Sequence, residues 1–597
     1  MEKLFLIHRA NRAAAAVGSP LSTLALLLLA NGSFLLDVAI GQHSRQPYPV
    51  SRDHAQPAWY VDVAAEAGIT VRNVNGSIES KRYIIESTGS GVAIVDYDRD
   101  GWPDIFLVNG STLPGAKLTE QPTNHLFHNN HDGTFTDVTA KAGLVSTGWG
   151  QGACVGDYDN DGFDDIYVTA YGANRLFHNQ GDGTFAEVAR QSGVAGSGTE
   201  WGTGCAFVDY DRDGRLDIAV ANYVHFDLAK VPAPGDAGCI WKGVPVMCGP
   251  RGLASAPNIL YHNLGHGKFE DVSKTSGIQN TTAHYCFSIT TIDYNHDGWP
   301  DIYVACDSTP SILYRNNHDG TFTDVGVDSA VAFNEDGREQ AGMGSAAGDY
   351  DGDGNLDIFK TNFSDDTSTL YHNNGDGTFT DTTLAAGLGI NMDALGWGVA
   401  FADVNNDGWP DLLVVNGHVY PEVDSEMLGT SYREPRFLYQ NLGTGKFKDI
   451  SKSSGPGLSE PRSGRGLAIG DLFNDGRLEA VVNNLSDRPM LLVNTASNQN
   501  HWLGLRLVGT ISNRDAIGAR VTLHGTKRDW VDEVRSGSSF SSSNDLRLHF
   551  GLGAAPGISS MEVEWPDGHK ESFNPPASLD HLLDLTEGTG RKSSPTK

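Results

Sequence analysis

Asp96-Tyr97-Asp98-Arg99-Asp100-Gly101-Trp102-Pro103-Asp104 decides the fold of this chain, because it recurs. Read as Asp-x-[Asp/Asn]-x-Asp-Gly-x-x-Asp, it returns with Asp157, Asp159, Asp161 and Asp165, and again with Asp209, Asp211, Asp213 and Asp217. The fourth copy carries Asp293, Asn295, Asp297 and Asp301. The fifth carries Asp349, Asp351, Asp353 and Asp357, and the sixth Asp403, Asn405, Asp407 and Asp411. A degraded seventh has Asp471, Phe473, Asp475, Gly476 and Glu479. Oxygens at alternate positions of a tight loop, with Gly at position six to take the strained dihedral, supply the shell of about 6–8 oxygens that a hard cation wants. An EF-hand would close with Glu at position 12 and run into a helix. Here position nine is followed by β-type runs such as Ile105-Phe106-Leu107-Val108, so EF-hands are excluded. Oxygen-only ligands favour Ca²⁺ over Zn²⁺ or Cu²⁺, and Mg²⁺ resists giving up its waters. About six structural Ca²⁺ sites are therefore expected; Phe473 cannot ligate, which sets the seventh loop apart.

The same loops account for much of the acidity. The net charge is −31, and the seven copies hold 25 ligand-type acids. Six Ca²⁺ ions would bring the charge to −19. Nucleic acid is excluded as a partner, since phosphate binding needs clustered Lys and Arg. Lys3, Arg9 and Arg12 followed by the apolar stretch Leu21 to Leu36 read as a signal peptide over residues 1–41, with Ala39-Ile40-Gly41 as the cleavage site and an uncleaved anchor as the alternative. A linker over 42–57 follows. The expected location is extracellular or periplasmic, where calcium is abundant enough to fill weak sites. The six Cys agree with an oxidising compartment. Cys239 and Cys248 share one Gly/Pro-rich insertion and are the best disulfide pair; the partners of Cys154, Cys205, Cys286 and Cys306 stay open.

Each metal loop sits inside a larger unit. Leu126-Phe127-His128-Asn129 and Gly133-Thr134-Phe135 follow the first loop, and the pattern returns at Leu176, Leu260, Leu313, Leu370 and Leu438. One unit reads as strand A (91–95), metal loop, strand B (105–108), variable loop, strand C (125–129), hairpin, strand D (134–138). Successive loops are spaced by 61, 52, 84, 56, 54 and 68 residues, and repeated four-stranded antiparallel units make a β-propeller. Leu491-Leu492-Val493-Asn494 is a seventh strand C with no strand D after it, whereas Tyr60-Val61-Asp62-Val63-Ala64 is a strand D with no blade before it. The N-terminal strand is thus expected to complete the last blade of a seven-bladed, all-β propeller spanning 58–497. The remainder alternates in strand fashion and predicts a small β-sandwich over 498–588 with a disordered tail, 589–597.

These units resemble FG-GAP/VCBS repeats, similar to the propeller of integrin α-chains. Asn513-Arg514-Asp515-Ala516-Ile517-Gly518-Ala519, Leu548-His549-Phe550-Gly551-Leu552-Gly553 and Val563-Glu564-Trp565-Pro566-Asp567-Gly568 resemble the ASPIC/UnbV domain. The combination is similar to the cartilage acidic protein (CRTAC-type) family, which the insertion around Cys239 and Cys248-Gly249-Pro250-Arg251-Gly252 also fits. The resemblance implies a secreted, calcium-binding, adhesion-type protein.

In an antiparallel blade the A–B loops and C–D hairpins share one face, and the B–C and D–A connections share the other. All metal loops therefore belong to one rim. Recognition of an extracellular glycan or protein is expected on the opposite face, at the long loops 109–124, 221–258 and 416–436. Trp149, Trp201, Tyr285, Trp397 and Arg465 precede strands A near the axis, with Ser90 and Met343 at the corresponding places. They are candidates for stacking on sugar rings, with inter-blade packing as the competing reading. No Gly-x-Ser-x-Gly, His-Glu-x-x-His or phosphate-binding loop is present. The alternative to a binding module is a carbohydrate-active enzyme of lyase or dehydratase type using His225, Asp227, His418, Glu422 and Asp424. The repeated His128, His178, His262 and His372 read as structural.

Overall fold

Gly101 and Gly408 adopt left-handed backbones (φ +86° and +95°), as position six of the loop requires, and this turns the chain back on itself. Val92–Val95 then pairs antiparallel with Asp104–Leu107, and His125–Asn129 and Phe135–Asp137 complete the first blade. The computed structural model describes Tyr48 and residues 58–77, 80–116, 121–232, 238–280, 284–425, 428–497, 499–554 and 557–592. The expected signal peptide and, apart from Tyr48, the linker lie outside the described residues.

Seven such four-stranded sheets follow one another, each in the order A-B-C-D. The seventh takes Gly464–Gly470, Glu479–Asn484 and Met490–Asn494 from the end of the propeller and Tyr60–Asp62 from its start. Tyr60 pairs with Asn494 and Asp62 with Leu492, so the N-terminal strand closes the last blade. Strands A and B are buried on both faces, which is why they read as continuous apolar runs.

One Asn per blade ties the ring. The Asn at or near the end of each strand C donates its side-chain amide to a carbonyl in the acidic loop of the preceding blade: Asn179 to Tyr97, Asn263 to Tyr158, Asn316 to Tyr210, Asn373 to Tyr294 and Asn441 to Tyr350, all at 2.7–2.9 Å. Asn494 reaches Val404 O and Asn129 reaches Leu472 O across the closure, so the stitch passes through all seven blades. Three disulfides brace the blades: Cys154–Cys205 joins strands A of blades two and three, Cys286–Cys306 joins strands A and B of blade four, and Cys239–Cys248 closes the insertion.

The C-terminal domain is a sandwich. His501–Val508 lies between Leu548–Gly553 and a parallel partner, Leu582–Thr586. The facing sheet holds Asp529–Glu533, Arg520–Gly525, Ile558–Glu564, Lys570–Phe573 and Arg591–Lys592. Arg591 and Lys592 pair with Ser572 and Glu571, so the expected disordered tail is corrected at its start: backbone pairing carries the sheet to residue 592.

Between the two sheets, residues 536–545 leave the sandwich and plug the propeller axis. The inner edges of strands A converge there with unpaired N–H and C=O groups, which a sheet edge must satisfy. Ser536 Oγ donates to Val155 O and accepts from Phe207 N; Ala153 N donates to Ser541 O. Ser539 exchanges both backbone bonds with Ser345, and its Oγ accepts from Val399 N. Ser542, Ser543 and Asn544 serve blades one and seven in the same way. Close approach explains the Gly in strands A: a Cβ on Gly91 would stand 2.2 Å from Ser541 O.

Candidate metal centres

Position one is the hub of each loop. Asp96 accepts the N–H groups of Asp100 (3.1 Å) and Gly101 (3.0 Å), and Asp157, Asp209, Asp293 and Asp403 repeat the pair. In the fifth loop Asp349 takes Gly352 and Gly354 instead. Position nine opens strand B and is sealed from solvent. Asp104 Oδ1 accepts from Asn129 N at 2.7 Å, so the last ligand is set by the same strand C that carries the stitch.

The donor set leaves acceptors unanswered. Asp98 Oδ1, Asp211 Oδ1, Asp351 Oδ1 and Asp301 Oδ2 are buried without a hydrogen-bonding partner. Burial pushes Asp96 and Asp349 up to about 6. It pushes Asp104, Asp165, Asp217, Asp293 and Asp357 up to about 7, and Asp157, Asp209 and Asp403 up to about 8. Orphaned, crowded oxygen donors of this kind fit a hard divalent cation, which the six loops would hold through positions one, three, five and nine.

The seventh loop keeps the shape and changes the chemistry. Asp471 still accepts from Asp475 and Gly476, but Phe473 is buried against Phe135 and Tyr48. Arg477 Nε lies 3.1 Å from both carboxylate oxygens of Asp475, and Arg547 donates to Asp471 O and Asn474 Oδ1. A guanidinium answers Asp475, while Glu479 Oε1 stays buried without a hydrogen-bonding partner.

The C-terminal domain sits on this rim. Asp515 accepts from Asp157 N at 2.6 Å and Glu533 from Asp293 N at 3.3 Å. Arg520 and Arg528 donate to Gly354 O and Gly408 O, and Arg528 lies over Trp409 at 3.8 Å. Asn500 and His549 reach Asn405 and Asn406 of the sixth loop. The domain thus meets backbone atoms of the loops together with the Trp409 and Asn406 side chains.

The stacking candidates need correction. Counted back from the strand-A residue paired with position nine of its loop, Trp149, Trp201 and Tyr285 lie seven residues upstream, whereas Ser90, Met343, Trp397 and Arg465 lie five. They form two tiers rather than one ring, because they occupy two different strand-A positions, eight or six residues before position one of the loop. Trp201 and Trp397 are 0% and 1% exposed, Trp149 is buried, and Arg465 lies over Trp397 at 4.1 Å. Phe540 at the plug tip meets Trp397 (4.6 Å) and Phe287 (5.5 Å). These faces are packed against protein, leaving Tyr285 alone half-buried.

On the opposite face the long loop of blade three crosses the axis. Its hairpin, Ile240–Trp241 with Val244–Pro245, is closed by Cys239–Cys248. Trp241 lies 4.8 Å from His418 and 6.0 Å from Tyr420 of blade six, and Lys242 Nζ is 2.7 Å from Asp365 of blade five. His418 is sealed beneath this hairpin, where burial pushes it down to about 3 and Ser364 sits on its Nε2. Asp227 is paired with Lys230, and Asp424 accepts from Tyr432 N. A buried His of low basicity is poorly suited to general-acid work at an open site.

Residues 96–168, 157–220, 252–304, 293–360 and 349–414 match the FG-GAP-like repeat family, and residues 509–592 match ASPIC and UnbV. The chain is an FG-GAP repeat protein with a C-terminal ASPIC and UnbV domain. Four of the FG-GAP matches begin at position one of a metal loop, so this family's repeat and the blade share one period. Cartilage acidic protein 1 of Mus musculus is 26% identical over 497 residues, covering 80% of this chain and 70% of that protein. Its Xenopus tropicalis counterpart is 25% identical over 502 residues, with the same coverage. Among solved structures, an Agrocybe aegerita lectin that recognises non-reducing terminal N-acetylglucosamine is similar at 16% identity and TM-score 0.38, covering 74% of this chain and 98% of that one. At that distance the lectin's ligand is a property of the lectin. The strand-C histidines, which read as structural in the sequence, reach the position-nine acids of their own blades.

Proposed function

We propose that this FG-GAP/UnbV protein is a secreted binding or adhesion module, loaded with structural calcium, that engages a glycan or protein ligand through the long-loop face of its propeller. The observation that carries this reading is the placement of the second domain. It covers the metal rim and fills the axis from that side, so the other face is the one on which no domain sits among the described residues. The disulfide-closed hairpin stands over that face with Ile240 63% exposed beside the half-buried Trp241 and the exposed Lys242. A short, covalently braced hairpin presents such side chains with little ordering cost on binding. Three disulfides fit an oxidising compartment, and among the described residues no helix is long and apolar enough to cross a membrane.

The test is retention of the labelled full chain on glycan and extracellular-protein arrays in millimolar calcium, compared with Ile240→Asp and Lys242→Glu. Binding that weakens at least about tenfold in both variants, with melting unchanged, is expected for a hairpin hot spot. Binding that survives both variants would place the ligand elsewhere and defeat the proposal.

A further inference from the structure

The strand-C residue just before the stitching Asn follows position three of the metal loop in its own blade. Where position three is Asp (Asp98, Asp159, Asp211, Asp351), that residue is His (His128, His178, His262, His372). Where position three is Asn (Asn295, Asn405), it is Arg315 or Gln440. All six intact loops obey the exchange. The geometry gives it a reason. In the four His blades, Nδ1 lies 3.3–3.5 Å from Oδ2 of the position-three Asp. The same nitrogen lies 3.1–3.3 Å from Oδ1 of the position-nine Asp. The ring is held edge-on by the Tyr at position two, with Tyr97–His128, Tyr158–His178, Tyr210–His262 and Tyr350–His372 centroids 5.8–6.1 Å apart. One imidazole nitrogen thus stands between two carboxylates that would otherwise repel each other, hydrogen-bonded to the position-nine Asp in blades two, three and five. It also leaves Oδ1 of position three pointing away, which for Asp98, Asp211 and Asp351 is the buried oxygen without a partner. In loops four and six the amide does a different job: Asn295 Nδ2 and Asn405 Nδ2 donate to the position-five acids at 2.8 and 3.0 Å. Those loops then offer three carboxylates with no imidazole behind them.

We propose that His128, His178, His262 and His372 are positioning residues that divide the metal loops into two classes: four tight calcium loops with an imidazole clamp, and two weaker ones, loops four and six, without it. The proposal rests on the calcium reading above. Calcium affinity rises with ligand charge and site rigidity, and a hydrogen bond behind a ligand typically sets about 10–100-fold in metal affinity. Both effects favour the same four loops.

Calorimetric titration of the calcium-stripped full chain tests it. The expected isotherm has four tight and two weak sites, at least about tenfold apart. H128A/H178A/H262A/H372A is expected to lose the tight class by about 10–100-fold, and the corresponding all-Gln variant, which keeps an N–H donor, to retain most of it. A side chain that merely filled space beside Tyr would give equal losses in both variants and would overturn the proposal. N295D/R315H supplies a gain that misfolding cannot imitate: loop four should join the tight class and turn four and two into five and one. Six equivalent sites in the unaltered chain, or a double variant still showing four and two, overturns the division of classes while calcium binding stands. No calcium uptake overturns both.

Discussion

Stripping calcium should lower the stability of the whole folded body, and the size of the effect can be worked out. A ligand that binds only the folded state stabilises it by RT ln(1 + [L]/Kd). With free calcium at about 1 mM and a Kd of about 10⁻⁴ M, the range of extracellular sites, each loop contributes about 1.4 kcal/mol. Six loops contribute about 8 kcal/mol. Residues 46–597 form one compact unit, so an unfolding entropy of about 2.1 cal/mol/K per residue converts this to a fall in Tm of about 7 °C. The direction with pH follows from the loop acids. In the metal-free protein their values stand above the ordinary 3.8, from about 6 at Asp96 to about 8 at Asp403. A raised carboxylate stabilises the fold only while it stays protonated, and that contribution is lost as pH climbs through 6 to 8. The chelated protein is therefore expected to melt lower at pH 8 than at pH 5, and the calcium-induced rise in Tm to be larger at pH 8. Differential scanning calorimetry of chelated and calcium-loaded protein at both pH values measures this. A Tm indifferent to chelation at pH 8 would refute the reasoning, because six crowded acidic loops cannot all be ionised without a counter-charge.

Three further outcomes follow from the packing. Asn263→Ala removes donors to Tyr158 O and Leu216 O and leaves both carbonyls buried; a loss of about 2–4 kcal/mol is expected in chemical denaturation. Phe540→Ala empties the plug tip between Trp397 and Phe287 and should cost about 3–5 kcal/mol, with a change in tryptophan emission that reports the opened axis. Cys154→Ala with Cys205→Ala opens a link of sequence separation 51, and the chain-entropy relation predicts a loss of about 4 kcal/mol, read as a shift in denaturation midpoint under non-reducing conditions.

Particular residues show where sequence reading succeeds and stops. The loop acids, the strand-C Leu-aromatic pairs and the orphan strand at Tyr60–Asp62 are local signals, because a β-turn and a period of two are settled within a few residues. Trp149 and Trp397 are a different case: they stand eight and six residues before position one of their loops, and that both are packed against protein is decided by distant segments such as Phe540. The histidines were visible as a repeat, but their tie to position three emerges only when strand C is laid beside the loop.

The sequence by itself determined the acidic loops, the seven blades and their closure by the N-terminal strand, since each unit carries its own turn, carboxylates and strand pattern. The tertiary structure alone decided which face is covered, that residues 536–545 fill the axis, and that the central tryptophans are packed rather than open. Those outcomes depend on seven inner strand edges converging on one line. Their unpaired backbone groups must be satisfied by a distant segment, and no single repeat contains the information that such a segment exists.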